Sequence, residues 1–551
     1  MKRTSCALFV LLCSFAIVTL APPAASAMPA ARGTPATGGT LVYQLSSQPP
    51  GIDPLFAVAE PGSQSDIVAD ALFDGLTSWD AQDSTVMPAV ASSWSANAQA
   101  TIWTFTLRAD ATFSNGKAVT AQDFKFAWER LFKGASSKGW ASYMLRNVKG
   151  ADAFAAGKAK HLSGVVAQNA TTLVVRLTTP SADFPSLVAY PNLAPMPRAL
   201  LSTAKKIAQF RNAPVGDGPF MLAKPWNRHS TINLVANPDY WGTKPNIAAI
   251  TFKVIAKPAT AYAQFQAGTL DVANFPAASL AAAEAAYGTS ADGFTAEPTQ
   301  QVIVGPSAAL SYWAFNTTKA PLDNVLVRRA VSLALDRTNL SSELGVANST
   351  TEVPATDMLS PGVPGYVPGQ WAFATLDLTQ AAALLTQAGF PGGAGLPQIS
   401  CLYTAAELGL VTEFKADLAA IGVTVKLVKV ASSTQLYQRT YSGRYMTAPE
   451  GWIDDYPVPD NVLYDLFYGP LNNSTSFYDD PTVNAALVAA RSTLDTATRV
   501  AAYQSIDATI AADVPVTPVA YYGRDVVCSD KLHDAVLSPM GLFDFTGVWI
   551  Q

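Results

Sequence analysis

Histidine, cysteine and charge are all scarce in this chain of 551 residues. The three histidines, His161, His229 and His533, lie far apart, and no two cysteines have CxxC spacing. A metal site built from protein ligands is therefore not expected. Charged residues make up 14% of the chain, against roughly 25% in ordinary soluble domains; alanine, serine and threonine fill the surface instead. The formal charge is −5 and no basic run is present, which argues against a nucleic-acid partner or an anionic membrane surface. The sequence also lacks a GxSxG elbow, a P-loop, an HExxH pair and a GxGxxG fingerprint. Gly216-Asp217-Gly218-Pro219-Phe220 contains a GxG without the third glycine, and reads as a turn leading into a strand. Glu450, Asp454 and Asp455 cluster, but acid/base work needs a partner carboxylate at a defined separation. The chain is expected to be no enzyme and to carry no cofactor.

Long apolar runs are missing beyond the first thirty residues. Lys2 and Arg3, an apolar run from Ala7 to Ala21 and the small residues Ala25-Ser26-Ala27 form the three parts of a secretory signal peptide. The run is shorter than the about 20 residues a spanning helix needs. Cys13 follows Leu12 in the middle of the apolar run, with Cys6 before it, which is not the arrangement of a lipid-anchored protein. Cleavage near Ala27 is expected to release a soluble periplasmic protein. Its two remaining cysteines, Cys401 and Cys528, are open to a disulfide or to separate burial.

Roughly 520 residues remain after that cleavage, more than one hydrophobic core usually serves. Residues 28–38 are rich in Ala, Pro, Gly and Thr and read as a flexible leader. Strands are expected at 41–45, 102–107 and 173–177, each with β-branched or aromatic alternation. Helices alternate with them. Thr120 and Asp123 make a capping arrangement ahead of Phe124, Ala127, Trp128 and Leu131. Asp323 is placed to cap a helix bearing Val327, Ala330, Val331 and Ala334. Further helices are expected from Asp377 to Gly389, over 481–492 and over 496–512. The fold class is α/β.

Several fragments occur in a recurring order: Ile52-Asp53-Pro54, Leu72-Phe73-Asp74-Gly75-Leu76, Phe113-Ser114-Asn115-Gly116-Lys117, the Gly216–Phe220 turn, Asn237-Pro238-Asp239-Tyr240-Trp241-Gly242, Val327-Arg328-Arg329-Ala330, Asp336-Arg337 and Ala388-Gly389-Phe390-Pro391-Gly392. With these the chain resembles the extracellular solute-binding proteins of the peptide/nickel type, which serve ABC importers. The resemblance runs from about Gly39 to the C-terminus. It implies a two-lobed periplasmic-binding-protein-like fold with an accessory subdomain in the first lobe. Lobe one would hold 39–305, with the subdomain at 60–195, and be completed by 520–551; lobe two would hold 306–519. The arginines of the Arg328-Arg329 and Asp336-Arg337 groups are expected to be structural, on a helix surface.

Gly451-Trp452-Ile453-Asp454-Asp455-Tyr456 resembles that family's Gly-Trp-x-x-Asp-Tyr pattern. The resemblance assigns Asp455 to a peptide's α-ammonium, Trp452 to an aromatic wall, and Gly451 and Ile453 to backbone pairing with the ligand. A cation in a closed, dry cleft needs a carboxylate, and backbone pairing gives affinity without reading side chains. The competing reading makes Asp455 a cap for a helix over 460–468. Where oligopeptide-type members often carry a basic residue, this chain has Pro449, followed by Glu450, so a doubly cationic or non-peptide ligand enters consideration. The expected function is capture of a small peptide for delivery to ABC permease subunits by a monomeric protein. An oligosaccharide, chelated metal or other amine on the same scaffold, and a cell-envelope hydrolase, are the alternatives.

Overall fold

Alternating side chains along strands build one long mixed sheet that runs through the molecule. The computed structural model describes residues 35–56, 63–134, 137–229, 231–348 and 351–551. The expected signal peptide lies outside the described residues, as does the leader up to residue 34. The sheet's strands are β1 (Thr40–Leu45), β2 (Phe220–Leu222), β3 (Thr231–Ala236), β4 (Ala249–Val254), β5 (Val272–Asn274), β6 (Val302–Phe315), β7 (Val353–Pro354), β8 (Ile399–Tyr403), β9 (Val425–Lys429), β10 (Thr447–Ile453) and β11 (Val516–Cys528). Their spatial order is β9-β8-β10-β6-β11-β5-β1-β4-β3-β2, with β7 paired to β11. β1 lies parallel to β4 and β5, and β8 parallel to β9 and β10; the central β10-β6-β11-β5 run is antiparallel.

The two longest strands, β6 and β11, join the two halves of this sheet. Their pairing slips between Pro306 and Leu310 and again between Ser311 and Tyr312. Such irregularities bend and twist a ribbon, so the slip separates the sheet's two halves. On one side, Leu41, Tyr43, Ile250 and Phe252 share a core with Phe543 and Phe545 of the C-terminal segment, Tyr43 meeting three of these rings edge-on at 5.4–5.7 Å. On the other side, β6 feeds two cores by its period of two. Leu310, Tyr312 and Ala314 face one; Trp313 and Phe315 face the other, where Trp313 stacks on Phe414 at 4.0 Å.

A separate four-stranded antiparallel sheet, from Ala91–Ala96, Ile102–Leu107, Val165–Ala167 and Thr172–Arg176, packs with helix Ala121–Leu131. Thr120 and Asp123 form the expected capping box. The GxG at Gly216–Gly218 is a close backbone approach: a Cβ on Gly216 would meet the Leu72 carbonyl oxygen at 1.8 Å. Phe220 then opens β2, as a turn into a strand requires.

Two local expectations are corrected. The helix Val325–Ala334 is capped by Asn324, whose side-chain oxygen accepts from the Leu326 amide at 2.9 Å; Asp323 sits one residue too early to reach the second helical amide. Arg328 and Arg337 are structural but buried, not on a surface. Arg328 donates to the carbonyls of Asp513, Val514 and Leu322, and Arg337 to Pro518 O and Thr517 Oγ1. They tie the helices of this half to β11. Cys401 and Cys528 are both free and buried, in different cores.

Candidate ligand-binding site

Among the described residues, β10 leaves one of its edges open. β8 pairs with it only at Cys401 and Thr447, whereas β6 pairs along all of Thr447–Ile453. Met446 O accepts from Asn316 N and Asp454 N donates to Ala308 O, both toward β6. Antiparallel pairing alternates with a period of two, so Ala448, Glu450 and Trp452 also direct their backbone groups at β6. Pro449, Gly451 and Ile453 then present theirs at the open edge. Pro449 has no N–H, so donors on that edge come from Gly451 and Ile453. A Cβ on Gly451 would lie 2.8 Å from the Tyr522 hydroxyl, so glycine keeps the space beside β11 clear.

A cavity of about 840 Å³ lies against this edge, within the range of ordinary ligand sites. The structure brings all four predicted residues, Gly451, Trp452, Ile453 and Asp455, to its wall. Trp452 is half-buried, and its indole Nε1 is among the buried polar atoms without a hydrogen-bond partner. Asp455 follows the end of β10. It is not a helix cap: the following helix, Pro459–Phe467, has Val458 at its N-cap, with no side-chain cap bond.

Asp455 is held by groups from both halves of the chain. Its amide donates to Asn461 Oδ1 at 2.8 Å, and the Tyr143 hydroxyl and Asn461 side chain favour the ionised form of its carboxyl. Tyr143, on helix α1 (Lys138–Met144), also donates to Asp465 Oδ2 at 2.6 Å, and Arg146 pairs with the same carboxylate. Asn461 Nδ2 donates to Asp465 Oδ2 at 3.2 Å. Burial raises the Asp455 carboxyl to about 7, the Asp465 charge adds to this, and the bonds from Tyr143 and Asn461 oppose it. An arriving cation would oppose these first two effects by favouring the ionised carboxylate.

The same face carries further ties between distant segments. Arg499 pairs with Asp183 at 2.8 Å, and Arg491 donates from Nε to Pro180 O at 2.9 Å while pairing with Asp460 at 2.6 Å. The sequence reading missed Tyr143, Arg146, Asn461 and Asp465. Tyr143 and Arg146 lie more than three hundred residues from Asp455, and no local pattern marks them.

The family model for bacterial extracellular solute-binding proteins, family 5 (middle), matches residues 85–474. The periplasmic oligopeptide-binding protein OppA of Escherichia coli K12 is 30% identical over 497 residues, covering 88% of this chain and 87% of the relative. Among solved structures, the unliganded open form of MppA, a periplasmic murein tripeptide-binding protein, matches with a TM-score of 0.79 at 24% identity, over 94% of this chain and 98% of that one. Haemophilus influenzae OppA in complex with RPPGFSPFR matches with a TM-score of 0.64 at 24% identity, over 94% and 100%. The fold is thus the two-lobed binding-protein fold expected from the sequence.

Proposed function

This chain belongs to the bacterial extracellular solute-binding proteins of family 5, and from that premise we propose that it captures short peptides and delivers them to the permease of an ABC importer. Lobe one comprises 39–305 and 520–551, with its subdomain at 60–195, and lobe two comprises 306–519. The β6–β11 ribbon is the hinge on which the lobes close. Asp455 takes the peptide's α-ammonium, the open edge of β10 pairs with its backbone through Gly451 and Ile453, and Trp452 walls one side. The protein works as a monomer in the periplasm, after removal of residues 1–27.

The observation that carries this reading is the open edge of β10 ending at a half-buried carboxylate. An edge strand offers hydrogen bonds that any peptide backbone can satisfy, and the carboxylate fixes which end of the peptide lies where. A sugar would use the walls but has no need of either feature. The relatives named for oligopeptide binding support the same reading. A thermal-shift screen of ligand-stripped protein tests it. Peptides of two to six residues should raise the unfolding midpoint, since a ligand at 100 times its Kd stabilises by about 2.7 kcal/mol. Stabilisation by oligosaccharides or metal chelates, with none by any peptide, would overturn it.

A further inference from the structure

The cavity wall carries four carboxylates, Glu343, Glu407, Glu450 and Asp455, and no lysine, arginine or histidine among the described residues that line it. Asp455 is accounted for by the ammonium. Glu407 is engaged at the start of its own helix, where its carboxylate accepts from the Thr404 amide at 2.6 Å. Glu343 sits exposed on helix Arg337–Asn348. Glu450 differs from both. It is half-buried, and its Oε1 is covered, with no hydrogen-bond partner among the described residues. The Thr440 and Thr475 hydroxyls favour the ionised form of the carboxyl, yet no donor among the described residues satisfies that oxygen. Leaving a buried acceptor unsatisfied is costly, and a carboxylate oxygen in an aromatic surround is best satisfied by a cation.

The surround fits one. Helix α2 (Ser433–Tyr441) presents Tyr437 and Tyr441 to the same cavity, four residues apart and therefore on one helix face. Their exposures are 51% and 52%, large for tyrosines in this structure. Tyrosine faces attract ammonium and guanidinium groups, and more so away from water. Burial and then the Glu450 carboxylate raise the hydroxyls of Tyr441 and Tyr312, which places the carboxylate among these rings. Glu450 shares a sheet face with Trp452 and lies five residues from Asp455, about 16 Å along an extended strand.

Resting on the peptide reading above, we infer that Glu450, Tyr437 and Tyr441 form a second cation subsite, which takes the lysine or arginine side chain of a peptide whose ammonium sits at Asp455. The protein is then a receptor selective for cationic peptides. Glutamate or aspartate in the same place would face an unpaired carboxylate and is rejected.

Titration calorimetry at pH 7.5 with Ala-Ala-Ala, Ala-Lys-Ala, Ala-Ala-Lys and Ala-Glu-Ala tests this. A charge-assisted bond predicts that the better lysine peptide binds roughly 10- to 100-fold tighter than tri-alanine. In Glu450→Gln that ratio should fall close to one, and in Tyr441→Leu it should shrink. Far-ultraviolet circular dichroism and the unfolding midpoint report whether each variant is folded. Tri-alanine binding as tightly as both lysine peptides would overturn the subsite and leave the peptide reading standing. A ratio that survives Glu450→Gln in a folded protein would equally overturn the role given to Glu450. If no tripeptide binds at all, the peptide reading falls and the subsite with it.

Discussion

Replacing Asp455 with asparagine is expected to weaken tri-alanine binding at least about thirtyfold, because removing one partner of a buried charge pair costs about 2–5 kcal/mol. Asparagine keeps the size of the side chain and an oxygen to accept from Tyr143, so the loss reports charge and not shape. It leaves the ammonium desolvated opposite a neutral amide. The empty variant should be at least as stable as the native protein near neutral pH. Burial and the neighbouring Asp465 both oppose ionisation of Asp455, so a neutral group there removes a destabilising charge. A variant that lost binding together with its unfolding midpoint would point to a structural role. Native affinity in a stable variant would remove Asp455 from the site.

The second large effect is a dependence of affinity on pH. The Asp455 carboxyl of the empty protein lies at about 7, and the amine of a free peptide at about 7.7–8.0. Facing the carboxylate are Tyr143 and Asn461 as donors, Asp465 as a like charge and Arg146 as an opposite one; the adjacent Asp454 is fully buried, with its own carboxyl held well above the usual range. Binding requires ionised Asp455 and protonated amine together. Below pH 7 the carboxyl must first lose its proton, and above pH 8 the amine has lost its own. Tri-alanine affinity should therefore peak between about 7 and 8 and be roughly 50-fold weaker at pH 5 than at pH 7.5. Tri-alanine has no side-chain cation, so Glu450 should contribute little to this profile. In Asp455→Asn the fall on the acid side should vanish. An affinity that is flat from pH 5 to 7.5 in the native protein would contradict a carboxylate that gains its partner only with the ligand.

How much of this was legible beforehand differed by level. Strands such as β1 and the 102–107 segment, and helices such as 378–387 and 496–513, follow from periodicity and cap residues close in sequence. The Gly451–Asp455 segment stood out because its residue types match a recurring pattern, and the structure brings Gly451, Trp452, Ile453 and Asp455 to one cavity wall. The environment of Asp455 was not legible. Its carboxyl is raised by burial and by Asp465 ten residues on, against the opposing Tyr143 of a remote helix and Arg146 just beyond that helix. The open edge of β10 was equally hidden, since it depends on β8 pairing with β10 at a single position. Glu450 was visible only as an acid near the place where a base was expected. Its significance comes from an unsatisfied oxygen and the two tyrosines of α2. Arg328 and Arg337 were misplaced on a surface for a related reason: backbone carbonyls of β11 and of the segment before it accept from them, and no spacing within a helix announces partners that distant.

The central claim is that a free α-ammonium at Asp455 anchors the ligand. Titration calorimetry of tri-alanine and its N-acetylated twin, at pH 7.5 with ligand-stripped protein, tests that most directly. Acetylation removes the positive charge and leaves the backbone available for pairing with β10. The free peptide is expected to bind measurably, and the acetylated one at least about thirtyfold more weakly. Equal affinity for the two would mean that no carboxylate in this cleft reads the peptide's amino end.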